Sequence, residues 1–401
     1  MNSQRFVRWR AASRAATTIA FVAVVLVAAA MAGANGADRG RLRFSHVYPP
    51  NPGSLERPKA TNPAPRAARA LTIGGAQRIA SLRQLAAVLP PTTLRNVGGA
   101  RWRLTAPVDV TKHSRLLIRG GTLDLAPGVF LQARDGGTVV IENAAVTAVG
   151  IDGGPMRVPT PDRGFLVARD GGVLVLRHDR IASLGHLGTV AYGISFRAPG
   201  PGSTVTDSAI SGNYFGIFMS QAAGVFVVGN TISDSTVYGI DPYGGSHDIL
   251  ISHNTVVRSG LHAIVLANQV SHIRVIDNQI NDAGTHGIVL FGGATRNVVL
   301  NNTIAHVLDG IVVTDSSRNR ISGNSIDNVT RFGIRMAAGS SLNTFNGNSI
   351  SHALLGAYVY GGAFDNALLR TTFAHNRENV RVRSDAARTL VDPRPNRSEL
   401  P

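Results

Sequence analysis

Short apolar runs of mostly β-branched residues, at 225–228, 249–251, 273–276 and 298–300, alternate along the chain with Gly, Asn, Asp and Ser. The alternation is periodic. Aligned on a Gly-Ile step, it returns at Gly193, Gly216, Gly239, Ala263, Gly287, Gly310, Gly333 and Gly356, at intervals of 23 or 24 residues. A second phrase, Asn followed two places on by Ile or Val, keeps the same beat at Asn230, Asn254, Asn278, Asn302, Asn324 and Asn348.

A period in this range calls for a repeat architecture. Runs so short and so rich in β-branched residues are strands rather than helices, and no Leu recurs at the fixed offsets of a leucine-rich repeat. The pattern predicts an all-β, single-domain parallel β-helix of about 11–12 coils, about 23 residues each and stacked about 4.8 Å apart, with three parallel sheets. Ile194, Ile217, Ile240, Ile264, Ile288, Ile311 and Ile334 would then form an inward ladder. The repeated Asn suits a tight turn at positive φ, where stacked amides bond along the axis.

The ends of the chain follow other rules. Arg5, Arg8, Arg10 and Arg14 precede an apolar run, 15–34, broken only by Thr17, Thr18 and Gly33. Residues 1–37 therefore read as an export segment, either a cleaved signal peptide or a single-span membrane anchor, with the repeats secreted or held at the cell surface. Residues 38–70 hold Pro49, Pro50, Pro52, Pro58, Pro63 and Pro65 and read as a flexible linker. Leu82, Leu85 and Leu89 lie on one face of a short helix over 80–89, which would cap the open end of a β-helix domain spanning 71–383. Residues 384–401 read as a polar tail.

The formal charge of +16 is concentrated at the start, where residues 1–70 hold 11 Lys and Arg against 2 Asp and Glu and leave +7 on the remainder. That remainder suits an anionic polysaccharide or serves solubility alone. Nucleic acid is excluded as a partner by the export segment and by the lack of interleaved basic and aromatic residues on the repeats. The absence of Cys removes disulfides and thiolate metal sites. No calcium-loop spacing or His-carboxylate triad appears, so no metal and no cofactor is expected, and the domain is expected to be a monomer.

Function is sought where a regular pattern departs from itself. The outward residues two after each Gly read Phe218, Asp241, Val265, Val289, Val312, Arg335 and Tyr358, an apolar row broken by two charges. The residue before each Gly gives Phe215, Tyr238, His262, His286, Asp309 and Phe332, so four successive turns present Tyr, His, His and Asp in line. Four after the Gly stand Ser220, Tyr243, Ala267, Phe291, Thr314, Ala337 and Tyr360. The richest turn runs from Tyr238 to His247, and Pro242 within it removes a ladder donor and re-aims its neighbours.

The phrase Tyr238-Gly239-Ile240-Asp241-Pro242 resembles the Tyr-Gly-x-Asp-Pro-His motif of mannuronan C-5 epimerases, with x aromatic or aliphatic. The turns 262–266, 309–314 and 331–336 also resemble that family's, and the likeness covers about 205–360. It implies a right-handed parallel β-helix whose groove binds a polyuronate, with C-5 proton abstraction and reprotonation from the opposite face. Such chemistry needs a base, an acid and a cation or donor at the sugar carboxylate. By the resemblance, Tyr238 donates or accepts a proton and Asp241 contacts or orients the carboxylate. Tyr243, also expected to be catalytic, stands where the motif has His; a Tyr donates a proton easily but is a poor base unless a cation lowers it, so the base falls to His262 or to His247 beyond the Gly-Gly step, with a cation-activated Tyr243 as the remaining candidate. Substrate contacts are expected from His247, Asn268, His286, Asp309 and Arg335, the last four turns from Asp241 and so at another subsite. Two readings stand beside the epimerase: a polyuronate lyase that shares the first step, and a non-catalytic carbohydrate-binding solenoid.

Overall fold

Ile194, Ile217, Ile240, Ile264, Ile288, Ile311 and Ile334 stand in register on successive strands and are fully buried. They are one column in a computed structural model that describes residues 70–188 and 190–392. The described residues wind through three sheets of 13 strands each, in which every strand except those at the two ends has a paired neighbour on either side. The stack is thus slightly taller than the expected 11–12 coils. The first sheet carries the Gly-Ile strands, from Leu71–Ile73 to Glu378–Val382. The second carries the strands that follow the repeated Asn, such as Thr255–Val257, and the third those such as Leu250–Ser252. Among the described strands pairing is parallel except between Leu94–Gly98 and Arg101–Leu104, at the N-terminal end of the second sheet; the isolated bridge of Val149 to Pro155 is also antiparallel.

The interior is filled by columns of like residues. Ile210, Ile232, Val256, Ile280, Ile304, Ile326 and Ile350 line the second sheet, and Val205, Val227, Ile251, Val275, Val299, Ile321 and Phe345 the third. The recurrence of Gly has a steric cause. A Cβ on Gly310 or Gly333 would lie 2.5 or 2.3 Å from the γ2 methyl of Ile326 or Ile350, so the backbone enters the first sheet too close to the second for a side chain to fit.

The Asn column bonds along the axis as expected. Nδ2 of each of Asn230, Asn254, Asn278, Asn302 and Asn324 donates to Oδ1 of the Asn one coil on, at 2.9–3.0 Å, and the same oxygen accepts the backbone N–H of the preceding Asn. The positive φ expected at these Asn belongs instead to the residue before each of them, Gly229, His253, Asp277, Asn301, Gly323 and Gly347. The turn is made one step earlier, and the Asn is left to face inward and satisfy the backbone. A second ladder, Asn297, Asn319, Asn343 and Asn366, does the same at the entrance to the third sheet.

The expected helix is present as α1, Leu82–Val88. Ser81 accepts from the N–H of Gln84, whose side-chain oxygen accepts from the N–H of Ala80. Leu82, Leu85 and Leu89 join the core. At the other end, residues expected in the polar tail carry a rung: Leu390–Val391 pairs with Ala367–Leu369, and Ala387 bridges Phe364. Backbone pairing to the coil below suffices there without an apolar pattern. The expected export segment, all but the last residue of the linker, and the tail from 393 onward lie outside the described residues.

Two variants test the columns. Ile264→Asp should abolish the cooperative urea unfolding transition, because a buried unpaired carboxylate costs several kcal/mol; a transition like the wild type's would refute the inward column. Asn278→Ala leaves the N–H of Asn254 and the carbonyl of Ile251 without this partner and should lower stability by about 2 kcal/mol or more, read from the same measurement.

Candidate active site

On the outer face of the first sheet, the residue before each Gly-Ile step projects beside the rung above. The stack is continuous. The ring centroids of Tyr192 and Phe215 are 4.9 Å apart, those of Phe215 and Tyr238 5.1 Å, those of Tyr238 and His262 5.1 Å, and those of His262 and His286 4.8 Å. The Tyr238 and His262 planes differ by 6°, and those of His262 and His286 by 8°. A one-coil rise near 4.8 Å is close to ring-stacking distance, so a column of rings needs no further device to align.

The column ends in charge. Asp309, on the next rung, is fully buried; both oxygens accept from Arg331, at 2.8 and 2.7 Å, and Oδ2 lies 3.1 Å from Nε of Arg335. Arg335 also reaches back two coils, its Nη2 lying 3.3 Å from Nε2 of His286. Since guanidinium only donates, Nε2 is the acceptor and the proton of a neutral His286 sits on Nδ1, 3.4 Å from Asp309. Two guanidiniums thus face one carboxylate, and the cluster holds an excess positive charge. His262 Nδ1 lies 2.6 Å from the hydroxyl of Thr285.

Val265, Val289 and Val312 form an apolar floor next to this column, packed against Tyr238 on one side and Tyr243 and Phe291 on the other. Asp241 occupies the same outward row one coil before Val265, where the ladder is broken: Ile240–Tyr243 pairs with the next strand only at Ile240 and at Tyr243. Pro242 has no N–H to give. Asp241 is 3% exposed, and its Oδ1 has no hydrogen-bond partner among the described residues.

Burial dominates the titration of these groups. It pushes His262 well below its ordinary value, helped by His286 and Arg335 and opposed by Asp309. It does the same to His286, with Arg335 and Arg331 adding to it. Asp241 is pushed well above the carboxylate range by burial, and Tyr238 and Tyr243 are raised by burial and by Asp241 beside them. Near neutral pH the site therefore holds neutral imidazoles and protonated tyrosines.

The expected residues fall into three groups. Tyr238 and Tyr243 pack against the valine floor, Asp241 heads its row beside them, His262 and His286 stack in turn on Tyr238, and Asn268 hydrogen-bonds Tyr243. Arg335 joins them, contrary to the expected separate subsite, because its side chain spans two coils. Asp309, expected to touch substrate, has no exposed surface and instead holds the two arginines. His247 lies elsewhere: it is exposed in the turn after the strand and paired to Asp248 at 2.7 Å. Arg331 and Thr285 were not expected. Both stand two places before the Gly position, a column whose members Tyr214, Val237, Leu261, Thr285, Leu308 and Arg331 mix polar and apolar residues and so carry little pattern.

The model described as "Right handed beta helix region" matches residues 163–304 and 271–380, more than half of the chain. The chain belongs to the right-handed β-helix family. Among curated proteins, this β-helix is 28% identical over 194 residues to a mannuronan C5-epimerase of Pseudomonas aeruginosa, a match covering 44% of this chain and 35% of that one. It is 33% identical over 87 residues to mannuronan C5-epimerase AlgG of Azotobacter vinelandii, covering 19% and 17%. The chain thus spans about a third or less of the length of these relatives. The solved structure of the periplasmic alginate epimerase AlgG superposes with a TM-score of 0.67 at 23% identity, covering 80% of this chain and 85% of that one. At that identity the likeness is one of fold.

The titration directions set the pH dependence of the β-helix. His262 and His286 are depressed in the folded state, so their contribution is present above about 6.5, the ordinary His value, and declines as pH falls below it. Asp241 is raised, so its contribution is present below about 3.9 and is lost as pH rises through the folded value. Asp241→Asn should therefore raise Tm more at pH 7 than at pH 4; an equal shift at both would contradict a buried, neutral carboxyl.

Proposed function

We propose that the protein epimerises a polyuronate of the alginate type at carbon 5, by proton abstraction and reprotonation. The observation that carries this reading is a neutral, buried His262 held between Tyr238 and His286, one rung from a cluster with excess positive charge. The curated relatives named above as mannuronan C5-epimerases support the substrate class.

A uronate ring lying on the valine floor would have the His262 column along one side and Tyr243 along the other. His262 takes the C-5 proton. Its depressed pKa keeps it unprotonated at neutral pH, and Thr285 fixes the ring's orientation. Charge moves onto the sugar carboxylate as the proton leaves, and Arg335, held beside Arg331 by the Asp309 carboxylate, stabilises that charge. Tyr243, protonated and placed across the floor, returns a proton to the opposite face. Tyr238 aligns His262 by stacking. Asp241 packs beneath the tyrosines as a neutral carboxyl. A lyase would share the first step and expel the group at carbon 4 instead; a binding solenoid would do neither.

Incubation with polymannuronate in deuterated water tests the reading. Deuterium at C-5 with altered configuration and unchanged chain length is expected, an unsaturated end group would mark a lyase, and no exchange in any polyuronate would overturn the proposal. His262→Ala should lower the exchange rate by at least about 100-fold, and the acid limb of kcat/KM in the wild type should fall below 6.5, the unshifted His value. Tyr243→Phe should keep exchange but lose inversion, because the proton can then return only from the side that removed it. Loss of both in Tyr243→Phe, with both kept in His262→Ala, would exchange the two roles.

A further inference from the structure

The third sheet carries a second concentration of charge, round the corner from the His262 column. Arg274 and Arg320 project from the same outward row two coils apart, with Val298 between them. Arg296 and Arg318 occupy the adjoining corner one coil apart, each one residue after the bridged pair Thr295 and Ser317. All four are exposed, and none makes an ion pair or a side-chain hydrogen bond among the described residues. They differ in this from Arg258, Arg388 and Arg331, each of which grips an Asp one coil away. Exposed Arg370 extends the group, its Nε donating to Asn346 at 2.9 Å.

The surface is shaped as well as charged. A depression of about 440 Å³ is lined by Arg318, Arg320, Leu342, Thr344, Asn346 and Arg370, so guanidiniums surround an apolar and hydrogen-bonding floor. Leu342 is 45% exposed there. Arg296, Arg318 and Leu342 are also in the left-handed backbone region, where neighbouring coils place Gly224, Asp248 and Asp365. Turn geometry alone therefore does not select Arg or Leu at these places.

We infer that this strip is a second binding site for an anionic polysaccharide, holding polymer away from the reacting column. The cations repeat along the axis at about 4.8 Å or twice that, and a pyranose in an extended polymer is about as long as one coil is tall. Carboxylates of a polyuronate can therefore meet the arginines of three successive coils, Arg274, Arg296 and the Arg318–Arg320 pair, without the polymer bending. Unpaired exposed guanidiniums bind carboxylates in bidentate fashion at little desolvation cost, while the depression accepts a sugar ring. The choice of a uronate polymer as occupant rests on the function proposed above; the existence of a polyanion site does not.

The test uses the full chain with Arg318→Ala, Arg320→Ala and Arg370→Ala combined, and a second variant with Arg296→Glu and Arg318→Glu. Affinity electrophoresis in gels containing polymannuronate should show at least a ten-fold weaker retention for both variants, while the C-5 exchange rate on a short oligomannuronate stays at the wild-type value. Retention should also weaken with salt in the wild type more steeply than in the variants. Unchanged retention in both variants overturns the site. So does retention of the wild type by anionic phospholipid vesicles but not by polymer, which would assign the strip to a membrane. Absence of C-5 exchange in the wild type, with polymer retention still lost in the variants, would remove the epimerase reading and leave the strip standing.

Discussion

One constraint governs this molecule: each residue has a counterpart directly above and below it, one coil away. In a stack of parallel coils the backbone hydrogen bonds of every strand go to the neighbouring coils, so no coil is complete alone. What the side chains add is agreement about register. The two Asn ladders do this most directly, since each amide bonds both the next amide and the backbone of the previous coil. A slip of one residue would bury the wrong set and leave these amides unsatisfied.

The same constraint makes chemistry accumulate in columns. A polar residue on the outer face is flanked by whatever its neighbours carry, and in the middle of the first sheet those neighbours are Tyr, His and Asp. Stacked rings shield one another, so His262 and His286 are buried although they project outward from the sheet. Burial then lowers their basicity, which an isolated surface His would not experience. Asp309 is tolerated on the next rung because two arginines compensate it.

What could be read from the sequence was what repeats. The inward Ile ladder, the Asn amide bonds and the Tyr238, His262, His286 column all follow from the period, since each residue's neighbours lie one interval away. Three features escaped because they do not follow from spacing. Arg335 meets His286 because a long side chain bridges two coils, a distance that column arithmetic does not contain. The positive φ falls at His253 and Asp277 rather than at the Asn behind them because corner geometry is set by backbone approach, not by the residue that repeats. Arg331 stands in a column of mixed composition, where a single charge breaks no visible rule. The ladder of Asn297, Asn319, Asn343 and Asn366 was legible in the spacing but competed with the more prominent one.

The location of the site within the stack is also a matter of energetics. A buried carboxyl with an oxygen that has no partner among the described residues and a proline that interrupts the ladder are both destabilising, and here they sit side by side at Asp241 and Pro242. In a globular core they would threaten the whole. In a solenoid, stability is close to a sum over coils and their interfaces, so a weak rung is held by intact rungs on either side. Ile240, on the inner face of that rung, remains fully buried, and the Asn ladder passes through the same coil unbroken at Asn254. The fold therefore separates its tasks by direction: residues pointing inward and along the axis maintain the stack, and those pointing outward are released to bind or react. That separation allows one outer face to carry the stacked His262 column while another, round the corner, carries arginines unpaired among the described residues, with neither altering the packing on which both depend.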